Sequence, residues 1–185
     1  MEPKRECVIP LHKPNFREKT FFFMSGLLVS VPFALFFAQL YDFLPLIISS
    51  AVIAPFIEEL AKVFPLFYRH GETERSIVTL GILIGLGFGI TELVLYTAVL
   101  GVSPIARIPG VIFHASSAGI TSYGIAKKAP LSFYLIAVAL HVANNFFALT
   151  ADPIIAVFAQ LLVLITVYYL AWHFYRKASK EKIVV

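Results

Sequence analysis

The chain has 185 residues, of which 59% are hydrophobic and only 14% are charged. Soluble domains average about 45–50% apolar and 25% charged residues, so this composition excludes a soluble enzyme and indicates a protein that lies almost wholly in a membrane. The single cysteine, Cys7, excludes an internal disulfide and a thiolate metal site. The net charge of +4 lies at the chain ends and in short turns, which suits lipid headgroups and not nucleic acid.

The hydropathy pattern predicts an all-α, polytopic membrane protein with about six transmembrane helices. A bilayer core about 30 Å thick requires about 20 apolar residues per helix. The predicted spans cover residues 20–41, 43–68, 77–100, 107–126, 131–150 and 154–175. We therefore expect a cytoplasmic juxtamembrane segment (1–19), one transmembrane domain (20–175) and a basic cytoplasmic tail (176–185). Pro32 and Pro55 should bend the first two spans, since proline lacks the N–H that a helix needs.

The distribution of Lys and Arg predicts the orientation of these spans. Five lie before residue 20, two in the loop 69–76, two at Lys127-Lys128 and four after residue 175. The alternate loops hold Asp42 and Asp152, and no basic residue occurs there before Arg107. Because cytoplasmic loops are enriched in Lys and Arg, we expect a multi-pass protein of the cell membrane with both termini in the cytoplasm.

The second predicted span contains three charged residues, Glu58, Glu59 and Lys62. Each charge at the centre of a membrane helix costs about 2.5–3.5 kcal/mol on insertion scales, which favours a functional site. Lys62 is one helical turn from both carboxylates. The two glutamates point about 100° apart, so we expect them to have different roles. The alternative is a buried charge cluster that only fixes helix packing.

Three other predicted spans carry Glu92, His114 and His141 about 20–24 Å from the cytoplasmic end of each helix, a depth comparable with about 16 Å for Glu58. Ionisable groups on four helices at one depth predict a polar intramembrane cavity surrounded by the helices. Asn145 lies on the same helix face as His141, and its amide can donate to a developing oxyanion. Asn144 points elsewhere and is expected to support them.

Two further patterns bear on packing and chemistry. Gly81, Gly85 and Gly89 repeat every four residues, which predicts close helix–helix contact. The sequence contains neither an HExxH segment nor a Gly-x-Ser-x-Gly elbow. These absences leave hydrolysis by a glutamate-activated water, or an unusual metal site built from glutamate and histidine.

The ionisable residues lie in motifs that resemble those of PrsW-type intramembrane proteases. Residues 58–62 match Glu-Glu-x-x-Lys, 88–92 match Phe-x-x-x-Glu, and 141–145 match His-x-x-x-Asp/Asn. The stretch 109–119 is similar to the histidine-bearing helix of that family. The related CAAX prenyl endopeptidases and bacteriocin-processing proteins carry Glu-Glu-x-x-x-Arg and Phe-x-x-x-His, so Lys62 and Glu92 favour the PrsW branch. Asn145 stands where many PrsW proteins have Asp.

This resemblance implies a glutamic-type intramembrane endopeptidase that acts on a membrane-anchored protein substrate. Glu58 would be the general base on water, with Glu59 and Lys62 controlling its orientation. Glu92 and His114 would hold the water, and His141 and Asn145 would stabilise the oxyanion. The predicted catalytic residues are thus Glu58, Glu59, Glu92, His114, His141 and Asn145, supported by Lys62, Phe88 and Asn144.

The sequence favours catalysis without a cofactor. The Lys62 ammonium beside the glutamates would repel a dication, and the two histidines lie on different predicted helices. A divalent metal held by Glu58, Glu92, His114 and His141 is the alternative.

An ion-coupled transporter is a rival function, because intramembrane carboxylates also line ion pathways. A non-catalytic membrane protein that binds peptides is another. No oligomeric state follows from the sequence.

Overall fold

The computed structural model describes residues 12–68 and 72–184. Six helical stretches make up most of this part of the chain, which confirms the predicted all-α membrane class. Residues 1–11 of the predicted juxtamembrane segment, with Cys7, lie outside the described residues. So do residues 69–71 of the predicted charged loop and residue 185.

The first two stretches are composite helices. The first joins α1 (Phe16–Ser25), a π-helical segment (Gly26–Ser30) and α2 (Val31–Ala38). The second joins a π-helical segment (Ile47–Ile53), α3 (Ala54–Val63) and a 3-10 turn (Phe64–Tyr68). The other four are α4 (Glu74–Leu100), α5 (Pro104–Ala126), α6 (Pro130–Thr150) and α7 (Pro153–Lys177). Two short strands, β1 (Glu72–Thr73) and β2 (Ile183–Val184), pair antiparallel.

Both π-helical segments end just before a proline, with Pro32 and Pro55 the second residues of α2 and α3. A proline ring in a helix collides with the carbonyl four residues earlier and offers no N–H to it. Widening the preceding turn relieves this collision. In the second segment, for example, the Ala54 N–H donates to the Ser49 carbonyl five residues earlier. The disturbances expected at the two prolines therefore take the form of π-helical widening.

Several helix ends differ from the predicted spans for local reasons. The first helix begins at Phe16, because Asn15 and Glu18 form a capping box that starts it before the apolar run. The fourth begins at Pro104 and not at 107, since proline is favoured in the first turn. The chain after α7 does not remain a free tail, because residues 183–184 pair with β1.

Four helical stretches have the length and composition to cross a membrane: 16–38, 74–100, 130–150 and 153–177. The remaining two are the polar ones. Residues 46–68 contain Glu58, Glu59 and Lys62, and α5 contains Arg107 and His114. The six-span count remains a prediction, and the two less apolar helices are those that carry much of the candidate site.

α4 and α5 pack along each other through the predicted glycine face. A Cβ added at Gly81, Gly85 or Gly89 would collide with Ser122, with the carbonyl of His114 or with the backbone of Val111. Inside a bilayer, helix association depends on close van der Waals packing and not on the hydrophobic effect. The glycines therefore allow the approach that places Glu92 of α4 beside His114 of α5.

A second polar cluster, centred on Glu74, connects three segments at one end of the bundle. Glu74, buried at the start of α4, accepts hydrogen bonds from Lys127 Nζ at 2.6 Å and from the Ser179 N–H at 2.9 Å. Lys182 Nζ lies 3.5 Å from its other oxygen. The hydrogen bond from Lys127 to Glu74 raises the pKa of Lys127 above its usual value. One carboxylate thus joins α4, the end of α5 and the segment after α7.

Replacing Lys127 with alanine should lower the thermal midpoint of the purified protein in detergent by about 5 °C. The substitution leaves the buried Glu74 carboxylate with one cation fewer. Because Lys127 is itself 30% exposed, the expected loss is smaller than for a fully buried ion pair. Lys128→Ala is the matched control, since Lys128 is exposed and makes no ion pair with the described residues. Equal midpoints for the two variants would contradict this account of the cluster.

Candidate active site

Glu59 is the most deeply buried carboxylate of the site. Its Oε1 atom lies 2.6 Å from Lys62 Nζ, 2.8 Å from His141 Nδ1 and 3.1 Å from the Ser117 hydroxyl. Glu59 and Lys62 are both 0% exposed. Buried charges persist only when they are paired and hydrogen-bonded. Glu59 therefore joins α3 to α5 and α6 through Oε1, while its enclosed Oε2 has no hydrogen-bond partner among the described residues.

Glu92 forms the second buried contact, between α4 and α5. Its Oε2 atom lies 2.6 Å from His114 Nε2 and 2.8 Å from Arg107 Nη2. The Arg107 guanidinium also stacks over Tyr96, with its carbon 3.9 Å from the ring centre. Arg107 thus holds Glu92, which in turn contacts the imidazole of His114.

Glu58 faces the space between the two histidines. Its Oε2 atom is 3.7 Å from His141 Nε2 and, among the described residues, has no hydrogen-bond partner although it is buried. One donor atom each from Glu58, His114 and His141 lies within 4.8 Å of the others. The side chain of Glu58 is 18% exposed, whereas that of Glu59 is fully enclosed. The two adjacent glutamates therefore occupy different environments, as their angular separation predicts.

The formal charge of the cluster is negative. Three carboxylates (Glu58, Glu59 and Glu92) meet two cations (Lys62 and Arg107), which leaves a net charge of −1 with neutral imidazoles. Lys62 pairs with Glu59, and Arg107 pairs with Glu92. Within the described part of the chain, Glu58 is the carboxylate of this cluster that no Lys or Arg neutralises.

Each histidine forms a hydrogen bond to a carboxylate through one ring nitrogen, and its other ring nitrogen has no hydrogen bond among the described residues. His141 contacts Glu59 through Nδ1 and turns Nε2 towards Glu58. His114 contacts Glu92 through Nε2, while its buried Nδ1 has no hydrogen-bond partner among the described residues. Metal-binding histidines in proteins commonly have such a carboxylate behind them, which fixes the tautomer and the ring orientation.

The residues present fit a divalent cation. Two imidazoles and one carboxylate are a donor set found in catalytic zinc sites. The sequence argument against a metal rested on Lys62 and on the separation of the histidines. In the structure Lys62 pairs with Glu59, and the two imidazole centres lie 5.4 Å apart. Glu92, which the sequence offered as a further ligand, lies behind His114.

The remaining predicted residues support the cluster from its edges. Phe88 packs against His114 with ring centres 5.0 Å apart and lies under the Lys62 ammonium. The Asn145 amide donates to the carbonyl of Ser50 at 3.0 Å, so it links α6 to the second π-helical segment. Asn144 donates to the Asn145 side chain at 3.2 Å, which agrees with its expected supporting position.

Sequence reasoning missed two residues of the cluster, Arg107 and Ser117. Arg107 is the single Lys or Arg between residues 77 and 126. It also breaks the pattern of loops without basic residues, which could have marked it as a partner for a buried carboxylate. Ser117 follows His114 by three residues and therefore shares its helix face. Its hydrogen bond to Glu59 could not have been found without the relative rotation of α3 and α5.

Comparison with known proteins identifies the family. No curated protein and no solved structure matches the chain. The family model described as PrsW family intramembrane metalloprotease matches residues 17–172. This range contains every residue of the cluster, including the Glu58-Glu59 pair and both histidines. Because the match covers most of the 185 residues, the chain belongs to the PrsW family of intramembrane metalloproteases.

Proposed function

We propose that this chain cleaves a peptide bond of a membrane-anchored protein, with Glu58 as the group that takes a proton from the attacking water. The observation that carries the proposal is the position of Glu58. It faces both imidazoles with a buried oxygen that has no partner among the described residues. A general base needs a free acceptor atom within reach of water. Glu59 also has one oxygen without a partner among these residues, but its side chain is 0% exposed, whereas that of Glu58 is 18% exposed. The other oxygen of Glu59 is held by Lys62 and His141. Glu92 is held by His114 and Arg107.

Glu59 and Glu92 are positioning residues in this mechanism. Glu59 accepts the hydrogen bond from His141 Nδ1, which leaves Nε2 facing Glu58. Glu92 does the same for His114 through Nε2, and Arg107 holds Glu92 in place. Such contacts keep reacting groups within a narrow range of geometry, and small displacements reduce rates sharply.

Glu58, His114 and His141 are the residues that would hold a divalent cation. When bound, the ion would act as a Lewis acid and lower the pKa of a nearby water. A carboxylate has two oxygens, so ligation through one leaves the other to accept a proton. The net charge of −1 on the cluster and the free nitrogen of each histidine support this assignment.

Asn145 is proposed to stabilise the oxyanion of the tetrahedral intermediate. His141, which the sequence suggests for the same role, donates its Nδ1–H to Glu59 and turns Nε2 towards Glu58, so the neutral ring has no N–H left for an oxyanion. An amide nitrogen carries two hydrogens, and the hydrogen bond from Asn145 to Ser50 uses one of them. The second is available to a substrate oxygen. Because His141 lies one turn before Asn145 on α6, the Asn145 amide lies on the helix face that carries the candidate ligand His141.

We also propose that both termini are cytoplasmic. The end of the bundle that holds Arg75, Lys127 and the segment after α7 carries most of the basic residues. Positive charges are retained on the cytoplasmic side. Ser103, between α4 and α5, then lies on the opposite side of the membrane.

Glu58→Gln should abolish cleavage while the protein still folds, because glutamine is nearly isosteric but cannot take a proton from water. We expect a loss of about 100-fold or more. The measurement is quantitative mass spectrometry of new N-termini in membranes from cells that lack the chain and are complemented with each variant. The exposed Glu181→Gln variant is the matched control.

Equal product levels for wild type and Glu58→Gln, at equal protein amounts, would contradict the base assignment. If wild-type membranes contain no cleavage products that depend on the chain, the proposal that the chain is a protease is wrong. An ion flux in liposomes would then indicate the transporter, and peptide capture alone the binding protein.

The purified protein should contain about one equivalent of a divalent metal, measured by elemental analysis after purification without chelators. His114→Gln and His141→Gln should lose the metal, because each removes one donor. His173→Gln is the control, since His173 packs against Tyr169 on α7. Glu59→Gln should weaken binding about 10–100-fold. If wild type neither contains nor takes up metal, the cation assignment fails while the role of Glu58 stands.

Single cysteines should report the orientation in a Cys7→Ser background. Ser103→Cys should react with an impermeant maleimide in intact cells, and Lys180→Cys only after permeabilisation. Both positions are exposed, and three helices, α5 to α7, separate them. Labelling of both from the same side would rule out an odd number of crossings between them.

A further inference from the structure

An apolar groove lies on the side of α5 away from Glu59, between α4, α5 and α7. It has a volume of about 320 Å³. Ile82 of α4 and Ala115 of α5 line it, together with Tyr168, Trp172 and Tyr175 of α7. Almost all of its surface is apolar, so it suits a hydrocarbon ligand.

The position of the groove decides between two hydrocarbon-compatible ligands. Ser117 of α5 donates to Glu59. The groove residues Ala115 and Ile112, by contrast, project from α5 about 160° and 140° away from Ser117. A substrate helix in this groove would therefore be separated from Glu58 by α5. An acyl chain of the surrounding bilayer needs no access to Glu58.

Arginine side chains mark one end of the groove. The guanidinium carbon of Arg176 lies 5.2 Å from the ring centre of Trp172, and that of Arg75 lies 4.3 Å from the ring centre of Tyr175. Arg75 donates to the carbonyls of Arg176 and Ala178 and is therefore occupied. Arg176 is exposed and forms no ion pair with the described residues. An exposed cation thus lies where the apolar groove ends.

The surroundings of this end are also basic. Residues 72–75, 127–128 and 176–184 contain seven Lys or Arg and three Glu. Of these glutamates, Glu74 is buried against Lys127 and Lys182. The excess of positive charge at the membrane surface favours an anionic headgroup over a zwitterionic one.

We propose that the groove binds one acyl chain of an anionic phospholipid from the surrounding bilayer, with its headgroup phosphate on Arg176. The apolar lining accounts for the chain and the exposed guanidinium for the phosphate. Tyr168 and Tyr175 are separated by about 10 Å along α7, which is about two-thirds of the thickness of one hydrocarbon leaflet. The site is separate from the Glu58 cluster, and its assignment does not rest on the proposed cleavage reaction.

The single tryptophan of the chain, Trp172, gives a direct readout. The full-length protein is placed in phosphatidylcholine nanodiscs that contain a small fraction of phospholipid with brominated acyl chains, which quench tryptophan fluorescence on contact. Brominated phosphatidylglycerol should bind in the groove with about five-fold higher affinity than brominated phosphatidylcholine. One arginine at a membrane surface changes the affinity for an anionic lipid by about that factor.

Arg176→Gln should abolish this preference, whereas Lys180→Gln removes the same charge from the exposed tail and should keep it. Ala115→Leu, which narrows the floor of the groove, should reduce quenching by the phosphatidylglycerol probe. Far-ultraviolet circular dichroism and the thermal midpoint identify any misfolded variant. Equal quenching by the two probes in wild type, or a preference that persists in Arg176→Gln, would overturn the proposal.

Discussion

The ion pair between Glu59 and Lys62 is the constraint on which the rest of the site depends. Both side chains are fully buried in a protein that belongs in a membrane. A buried charge that loses its partner costs about 3–5 kcal/mol, so α3 must remain where each charge is satisfied. The single oxygen Glu59 Oε1 also accepts from His141 and Ser117. This requirement places α5 and α6 against α3, and it leaves the adjacent Glu58 pointing in a different direction from Glu59.

The same arrangement occurs twice around the cluster. A cation and a carboxylate stand behind each imidazole: Lys62 and Glu59 behind His141, and Arg107 and Glu92 behind His114. The outer groups neutralise one another and hold the rings. Glu58 is left facing the imidazoles without a cation of its own, which separates the supporting charges from the group proposed to react. Arg107 lies near the start of α5, and its side chain extends to Glu92. The Arg107–Glu92 pair and the Lys62–Glu59 pair therefore approach the cluster from different regions of the bundle.

Much of this arrangement was predictable from the sequence. The 3.6-residue period and the depth of Glu58, Glu92, His114 and His141 predicted that four helices would meet around one polar cavity, and the glycine face predicted the contact of α4 with α5. The pairing of particular atoms was not predictable, because it depends on the rotation of each helix relative to its neighbours. Arg107 was missed since a long side chain can extend from a helix end to a buried partner. The pairing of residues 183–184 with β1 was missed because two-residue strands leave no alternating pattern.

The π-helical segment before α3 has a consequence for how this chain can change by insertion or deletion. A π turn holds one more residue than an α turn over the same length. Removing one residue from Ile47–Ile53 would therefore restore an ordinary α turn, and the segment before α3 would keep its phase relative to Glu58 and Glu59. A one-residue deletion between Pro55 and Glu58 has no widened turn to absorb it, and each residue of an α-helix accounts for about 100° of rotation. That is the angle between Glu58 and Glu59, so such a deletion would exchange which glutamate faces the histidines, whereas a deletion upstream of Pro55 would not.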